Sequence, residues 1–250
     1  MKALITGASS GIGRDMARYL SRLGYDLILV ARRTDRLEAL ANELEGQVRC
    51  ITADLSGEQA CKDLYEQTRD EEIDLLINNA GFGDFGAFVD TDLSRDLTMI
   101  NTNITAVHIL TKLFLRDFVK RDHGRILNVA SSAGFTAGPM LSTYYATKNY
   151  VFRLSEAIYE ELRRRKSHAH ISVFCPGPVR TEFDKVAGVK FSLTGFITSE
   201  FAAKYAVDGA LRGKMLIVPF KMRLVKFATR LVPEKLMLRV AYHVQHKKQG

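Results

Sequence analysis

The feature that most constrains this chain is an alternation. Short apolar runs, "KALIT", "YDLILVA", "QVRCITA", "IDLLINN", "GRILNVAS", "AHISVFCP" and "KMLIVP", take turns with stretches of helical spacing. The runs are continuous rather than polar at every second residue. That is the pattern of strands covered on both faces, as in a parallel sheet. The intervening segments predict crossover helices near 11–23, 34–45, 56–70, 91–121, 142–166 and 198–212, with Thr34 and Ser56 as N-caps. The expectation is an α/β fold, a doubly wound seven-stranded parallel sheet, in a single domain over residues 1–219. A loop at 182–200 follows the sixth strand, and 220–250 forms a helical C-terminal extension. The 250 residues suffice for one large core, and no linker or repeat divides them.

Composition removes several classes of function. No apolar run reaches the ~18 residues of a membrane span, and no secretory leader is seen, since Arg14 breaks the early apolar stretch. Cys50, Cys61 and Cys175 are scattered and odd in number, which argues against disulfides and fits a reducing, cytoplasmic setting. No C-x-x-C or H-E-x-x-H spacing occurs, so no metal is expected. The charge is uneven. Residues 214–250 hold nine Lys or Arg against Glu234, which accounts for the whole formal excess of +8. A nucleic-acid binder would be basic over a broader surface, and none is expected as a partner. Within 221–232 and 234–246, apolar residues such as Leu224, Phe227 and Leu231 share one helical face, with Arg223, Lys226 and Arg230 on another. One reading is peripheral contact of 221–250 with an anionic membrane. The other is that the apolar face caps a substrate cleft or a subunit interface.

Ligands of doubly wound sheets bind at the carboxyl ends of the strands, so those ends carry the functional argument. The first run is followed by "TGASSGIG", with Gly7, Gly11 and Gly13 around Ser9, Ser10 and Ile12. Glycines between a strand and a helix start let the backbone approach a phosphate beside unpaired N–H groups. After the second run, the place where an NAD enzyme usually carries a carboxylate for the ribose holds Ala31, followed by Arg32 and Arg33. A guanidinium grips a 2′-phosphate that a carboxylate would repel, so this Rossmann-like arrangement favours NADP(H) over NAD(H). Tyr144 and Lys148, in Y-x-x-x-K, share one helix face, and no other tyrosine here has Lys four residues on. The ammonium predicts a lowered phenol pKa at Tyr144.

These motifs, in this order over almost all of 1–219, resemble the short-chain dehydrogenase/reductase family. The resemblance implies hydride transfer between a nicotinamide and a carbonyl or alcohol carbon. Tyr144 would be the proton donor or acceptor, and Lys148 would also hold the nicotinamide ribose. The family serine sits three residues before the glycine and thirteen before the tyrosine. Ser131 satisfies both counts against Gly134 and Tyr144, with Ser132 as the alternative. Asn103, in "INTNITA", resembles the fourth catalytic member and would anchor a water linked to Lys148, whereas Asn101 would face elsewhere. Asp54 resembles the aspartate that meets the adenine. In "NNAG", Asn78 would steady the sheet, and Asn79, Ala80 and Gly81 would line the cofactor. "PGPVRT" supplies Pro176, Gly177 and Val179 for the nicotinamide loop and Thr181 for its carboxamide.

The loop residues Phe183, Val186, Val189, Phe191, Leu193, Phe196 and Ile197 point to a bulky hydrophobic carbonyl or alcohol substrate. Relatives are commonly dimers or tetramers through the helices near 91–121 and 142–166, which implies a homo-oligomer. A non-catalytic NADP(H) sensor on the same fold is the alternative reading. Epimerase or dehydratase chemistry on nucleotide sugars would need a second domain that this length does not provide.

Overall fold

A computed structural model describes residues 1–189 and 197–246. In chain order the elements begin with β1 (Lys2–Thr6), α1 (Gly11–Arg22), β2 (Asp26–Ala31), α2 (Thr34–Ala41), β3 (Val48–Thr52), α3 (Glu58–Thr68) and β4 (Leu75–Asn78). Then come α4 (Leu93–Ile100), a π-helical turn (Asn101–Thr105), α5 (Ala106–Lys120), β5 (Arg125–Val129), a 3₁₀ turn (Ser132–Phe135) and α6 (Ser142–Arg164). The chain continues through β6 (His170–Phe174), β7 (Val179–Arg180), α7 (Phe183–Ala187), β8 (Ile197–Thr198), α8 (Ser199–Leu211), β9 (Leu216–Ile217), α9 (Phe220–Leu231) and α10 (Glu234–His246).

The main sheet has seven strands in the order β3-β2-β1-β4-β5-β6-β9. Every neighbouring pair is parallel. The order reverses between β1 and β4, which opens a crevice at their carboxyl ends. The period of two along each strand divides the core. Ala3, Ile5, Leu27 and Leu29 face one layer with Met16 and Leu20 of α1 and Ala203, Ala206 and Ala210 of α8. Leu4, Ile28, Leu76 and Ile126 face the other, with Leu64 of α3 and Leu110, Phe114 and Phe118 of α5. Burial on both faces is why the strand runs are apolar throughout.

One buried polar ladder crosses the sheet centre. Asn78 and Asn128 are register partners on β4 and β5. Asn78 Nδ2 donates to Asn128 Oδ1 at 2.9 Å and to Thr111 Oγ1 at 3.0 Å, and Asn128 Nδ2 donates to Ser155 Oγ at 3.0 Å. The Asn78–Asn128 pair thus ties both central strands to α5 and α6.

Several local expectations are corrected. Thr34 is the first helical residue of α2 rather than its cap, because Arg33 holds the extended cap position. Thr34 Oγ1 instead pairs with Thr52 Oγ1 at 2.7 Å. Gly57, not Ser56, caps α3, since Asp54 Oδ1 accepts from Ser56 N at 3.0 Å and closes a turn one residue earlier. The segment near 91–121 is interrupted by the π turn. In the substrate loop, Phe191, Leu193 and Phe196 lie outside the described residues, as do Lys247 and Lys248.

The C-terminal helices are also oriented differently from the cleft-capping reading. Leu224, Phe227 and Leu231 of α9 and Leu236, Val240 and Val244 of α10 are exposed. The side turned to the body carries Met222, Lys226 and Thr229 on α9 and the buried Gln245 on α10. Lys226 is held by aromatic faces, with its Nζ 5.0 Å from the Phe152 centroid and 5.8 Å from that of Phe135.

Candidate active site

A cleft of about 420 Å³ lies at the carboxyl ends of the central strands. Of the catalytic and cofactor-binding residues predicted from sequence, all but Gly13 and Asn103 line it, and of the described substrate-loop residues Phe183 and Val186 do so while Val189 and Ile197 do not. Gly13 and Asn103 stand immediately behind its wall.

One end is built from the turn after β1. Gly7 and Gly11 have φ of +68° and +54°, where a side chain would be strained. A Cβ on Gly7 would come within 2.8 Å of Ala80 Cα, and one on Gly13 within 2.3 Å of Asn79 Nδ2. Thr6 Oγ1 accepts from the Asn79 and Ala80 amides at 3.0 and 3.1 Å, and Asn79 Nδ2 donates to Thr6 O at 3.0 Å. The "TGASSGIG" and "NNAG" turns are therefore locked together. Thr181 packs on the turn as well, with its methyl 3.1 Å from where a Gly11 Cβ would stand. Pro176 O accepts from Ser132 N at 2.7 Å, which fastens the loop after β6. The missing Cβ atoms and free approach to the start of α1 fit a dinucleotide phosphate.

The two arginines diverge. Arg32 is exposed and turned to Asp54, 3.9 Å away. Arg33 lies over the turn, donating from Nη2 to Ser9 Oγ at 3.1 Å and Ser10 Oγ at 3.0 Å. Its Nη1 reaches Glu182 Oε2 at 3.2 Å, and Arg36 holds the same carboxylate at 2.8 and 2.9 Å. Arg36 and then Arg33 keep the Glu182 carboxyl below its usual pKa. Neither Arg36 nor Glu182 was expected. Glu182 directly follows the matched Thr181, which could have flagged it.

At the other end, α6 presents Tyr144 and Lys148. Lys148 is buried and its Nζ donates to Val129 O at 3.0 Å. The Nζ is 5.9 Å from the Tyr144 ring centroid. Burial pushes the Lys148 pKa down to about 8. Burial pushes Tyr144 up to about 12, and its hydrogen bond with the Ser131 hydroxyl only partly offsets this. The lowered phenol predicted from the Tyr–Lys spacing is thus not what the structure shows. Desolvation of the phenolate dominates, and the ammonium is engaged by a carbonyl. Ser131 and Ser132 both line the cleft, and of the two it is Ser131 that favours the ionised form of the Tyr144 phenol. Ser131 Oγ also accepts from Ala133 N at 3.1 Å.

Asn103 is fully buried in the π turn, a distortion frequent at functional sites. Its Oδ1 accepts from Phe82 N at 3.1 Å, while its Nδ2 donates to Phe82 O at 2.9 Å and Thr147 Oγ1 at 3.1 Å. A Cβ on Gly81 would meet Asn103 Oδ1 at 2.9 Å and Lys148 Nζ at 3.3 Å, so both flank one spot. Asn101, by contrast, is exposed. Around Tyr144 stand Phe183, with ring centroids 5.2 Å apart, and Leu141, Ala187, Val189 and Phe85. Gln245 closes this end from α10, donating to Tyr145 Oη at 2.7 Å. Nothing in the sequence pattern signalled that contact across 100 positions.

Comparison with known proteins gives a consistent picture. The short chain dehydrogenase family model matches residues 1–189. Nodulation protein G of Rhizobium sp. (strain N33) is 36% identical over 179 residues, 71% of each chain. The human very-long-chain 3-oxoacyl-CoA reductase is 32% identical over 173 residues, 65% of this chain but 55% of its own length. A short-chain dehydrogenase from Sphingobium yanoikuyae, solved with NADPH, superposes with a TM-score of 0.82 at 31% identity, over 92% of this chain and 93% of that one.

The Lys148 environment generates a stability prediction. The folded protein binds fewer protons than the unfolded chain between pH about 8 and the usual 10.5 of lysine. The cost of burying the ammonium is therefore full below pH 8 and fades as pH rises towards 10.5. Lys148→Met is expected to raise Tm by a few degrees at pH 7, with the gain shrinking by pH 10. Thermal melts across pH check this; a lower Tm at pH 7, or a gain indifferent to pH, contradicts it.

Proposed function

The chain belongs to the short chain dehydrogenase family, and from that premise we propose that it is an NADP(H)-dependent oxidoreductase. It would move hydride between the nicotinamide and the carbonyl or secondary-alcohol carbon of a hydrophobic substrate. The observation that carries this reading is the cleft, which joins a Cβ-free glycine turn at one end to Tyr144, Lys148 and Ser131 at the other. Arg33 over Ser9 and Ser10, with no carboxylate at residue 31, supports NADP(H). The NADPH complex of the Sphingobium relative is in keeping with it.

When bound, the nicotinamide supplies the hydride chemistry. The protein's part is orientation and the proton. Gly7 to Gly13, Ala80, Gly81, Asp54 and Thr181 would hold the dinucleotide. Tyr144 would donate its hydroxyl proton to the substrate oxygen in reduction and accept it in oxidation. Ser131, which lines the same cleft as Tyr144, would donate to the same oxygen as charge gathers there. Lys148 is largely an ammonium at neutral pH, and its charge favours the phenolate that follows proton release. Asn103 would keep α6 in register with Phe82 and Gly81, beside any water that reaches Lys148. The apolar wall of Phe183, Leu141, Val189 and Phe85 suits a hydrophobic substrate.

We also propose a homo-oligomer built on α4 to α6, where Leu93, Leu97 and Tyr150 are exposed beside Phe88 and Val89. A further proposed partner is an anionic membrane, met by α9 and α10. Their outer residues include Phe227 and Leu231, 64% and 68% exposed. Two copies of a segment carrying the whole +8 excess repel, whereas anionic lipid attracts it. No helix among the described residues is long and apolar enough to cross a membrane, so contact would be peripheral.

Three measurements test these readings. Tyr144→Phe is expected to lower turnover of hydrophobic ketones by at least ~100-fold while NADPH binding persists. Near-normal turnover in that variant refutes the assignment, and NADPH binding without turnover of any ketone by the intact protein returns the sensor reading. Light scattering at micromolar concentration should give a dimer or tetramer; a monomer throughout rejects the interface. Flotation with phosphatidylserine vesicles should carry the protein at low salt and release it at high salt; no binding at low salt removes the membrane.

A further inference from the structure

We infer that Glu182 is a specificity-determining residue for the coenzyme, because its carboxylate occupies the arginine pair that a 2′-phosphate would engage. The inference rests on the NADP(H) reading. Among the described residues, Arg33 and Arg36 share Glu182 as their one acidic ion-pair partner. Arg180 lines the same surface beside Arg36 and Glu182, and three other arginines nearby are engaged elsewhere. Arg14 pairs with Asp15 at 2.9 Å, Arg18 with Glu43 at 2.6 Å, and Arg32 faces Asp54. Arg33 is also the one placed on the glycine turn, through Ser9 and Ser10. A planar guanidinium has a limited set of donors, and carboxylate and phosphate compete for them.

The position of Glu182 sharpens the competition. It precedes α7 and follows Thr181, whose methyl lies against Gly11 and whose Oγ1 accepts from Phe183 N at 3.2 Å. The carboxylate therefore enters the phosphate end from the segment whose next residue, Phe183, walls the Tyr144 end. The Glu182 side chain is 45% exposed and those of Arg33 and Arg36 are 42% exposed. Such a pair is weak by itself and yields to a better anion. A 2′-phosphate must displace Glu182 from Arg33 or bind beside a like charge. Either way Glu182 weakens NADPH binding and leaves NADH, which lacks that phosphate, untouched. Glu182 thus holds the preference for NADPH below what Arg33 alone would confer.

The test is calorimetric titration of NADPH and NADH into the intact protein, Arg33→Ala, Glu182→Gln and Glu182→Asp. The intact protein should prefer NADPH, and Arg33→Ala should erase the difference. Glu182→Gln should tighten NADPH by about three- to tenfold, as expected on removing one like charge near a phosphate, with NADH within twofold. Glu182→Asp, which keeps the charge, should stay near the parent. Unchanged or weaker NADPH binding in Glu182→Gln overturns the inference while the NADP(H) reading stands. Equal tightening of both coenzymes also overturns it, since Glu182 would then act on closure rather than on the phosphate. No NADPH preference in the intact protein, or none lost in Arg33→Ala, sinks the underlying reading instead. Glu182→Asp separates charge from any general disturbance of the loop.

Discussion

Everything at the cleft depends on how closely β1 and β4 approach at their carboxyl ends. The contact leaves no room for a methyl group. A Cβ on Gly13 would stand 2.3 Å from Asn79 Nδ2 and 2.4 Å from Gly7 O. Glycine is needed at 7 and 11 for positive φ and at 13 for proximity alone, so one short motif satisfies two different constraints. The hydroxyl of Thr6 and the amide of Asn79 then stitch the two turns together. With that junction made, α1 and the backbone of Ala80 and Gly81 have nowhere else to lie, and the remaining strand ends arrange themselves around the gap.

The chemical end of the cleft is governed by burial before charge. The same exclusion of water that raises Tyr144 depresses Lys148, so both groups are driven towards their neutral forms. A hydrogen bond in such surroundings is electrostatically stronger than in water. This gives weight to the Ser131 contact with Tyr144, which works against desolvation. Cys175 is buried beside the site and is pushed up to about 12 for the same reason, which leaves it a neutral thiol.

Much of this was legible in the residues. Apolar runs declared a parallel sheet buried on two faces, while the order of its strands came only with the structure. Tyr144 and Lys148 were visible through their spacing, and Asn78 through the family resemblance of "NNAG". What escaped depended on tertiary context. The Tyr144 pKa follows from how much chain surrounds the hydroxyl, which spacing cannot report. Ser56 looked like a helix cap, yet the Asp54 carboxylate reached its amide first. Leu224, Phe227 and Leu231 formed a recognisable stripe, but periodicity says nothing about which way a stripe turns. Gln245 and Glu182 met their partners through long-range folding, and only the place of Glu182 after the matched Thr181 offered a local sign of either.

The placement of Gln245 joins two regions that look separate. It hangs from a helix on which Leu236, Val240 and Val244 are exposed, and its 2.7 Å bond ends on Tyr145, the residue next to Tyr144. Through Gln245, α10 is thus tied to the wall of the cleft. Residues 236–244, remote from Tyr144 in the linear chain, stand on the helix that supplies part of that wall.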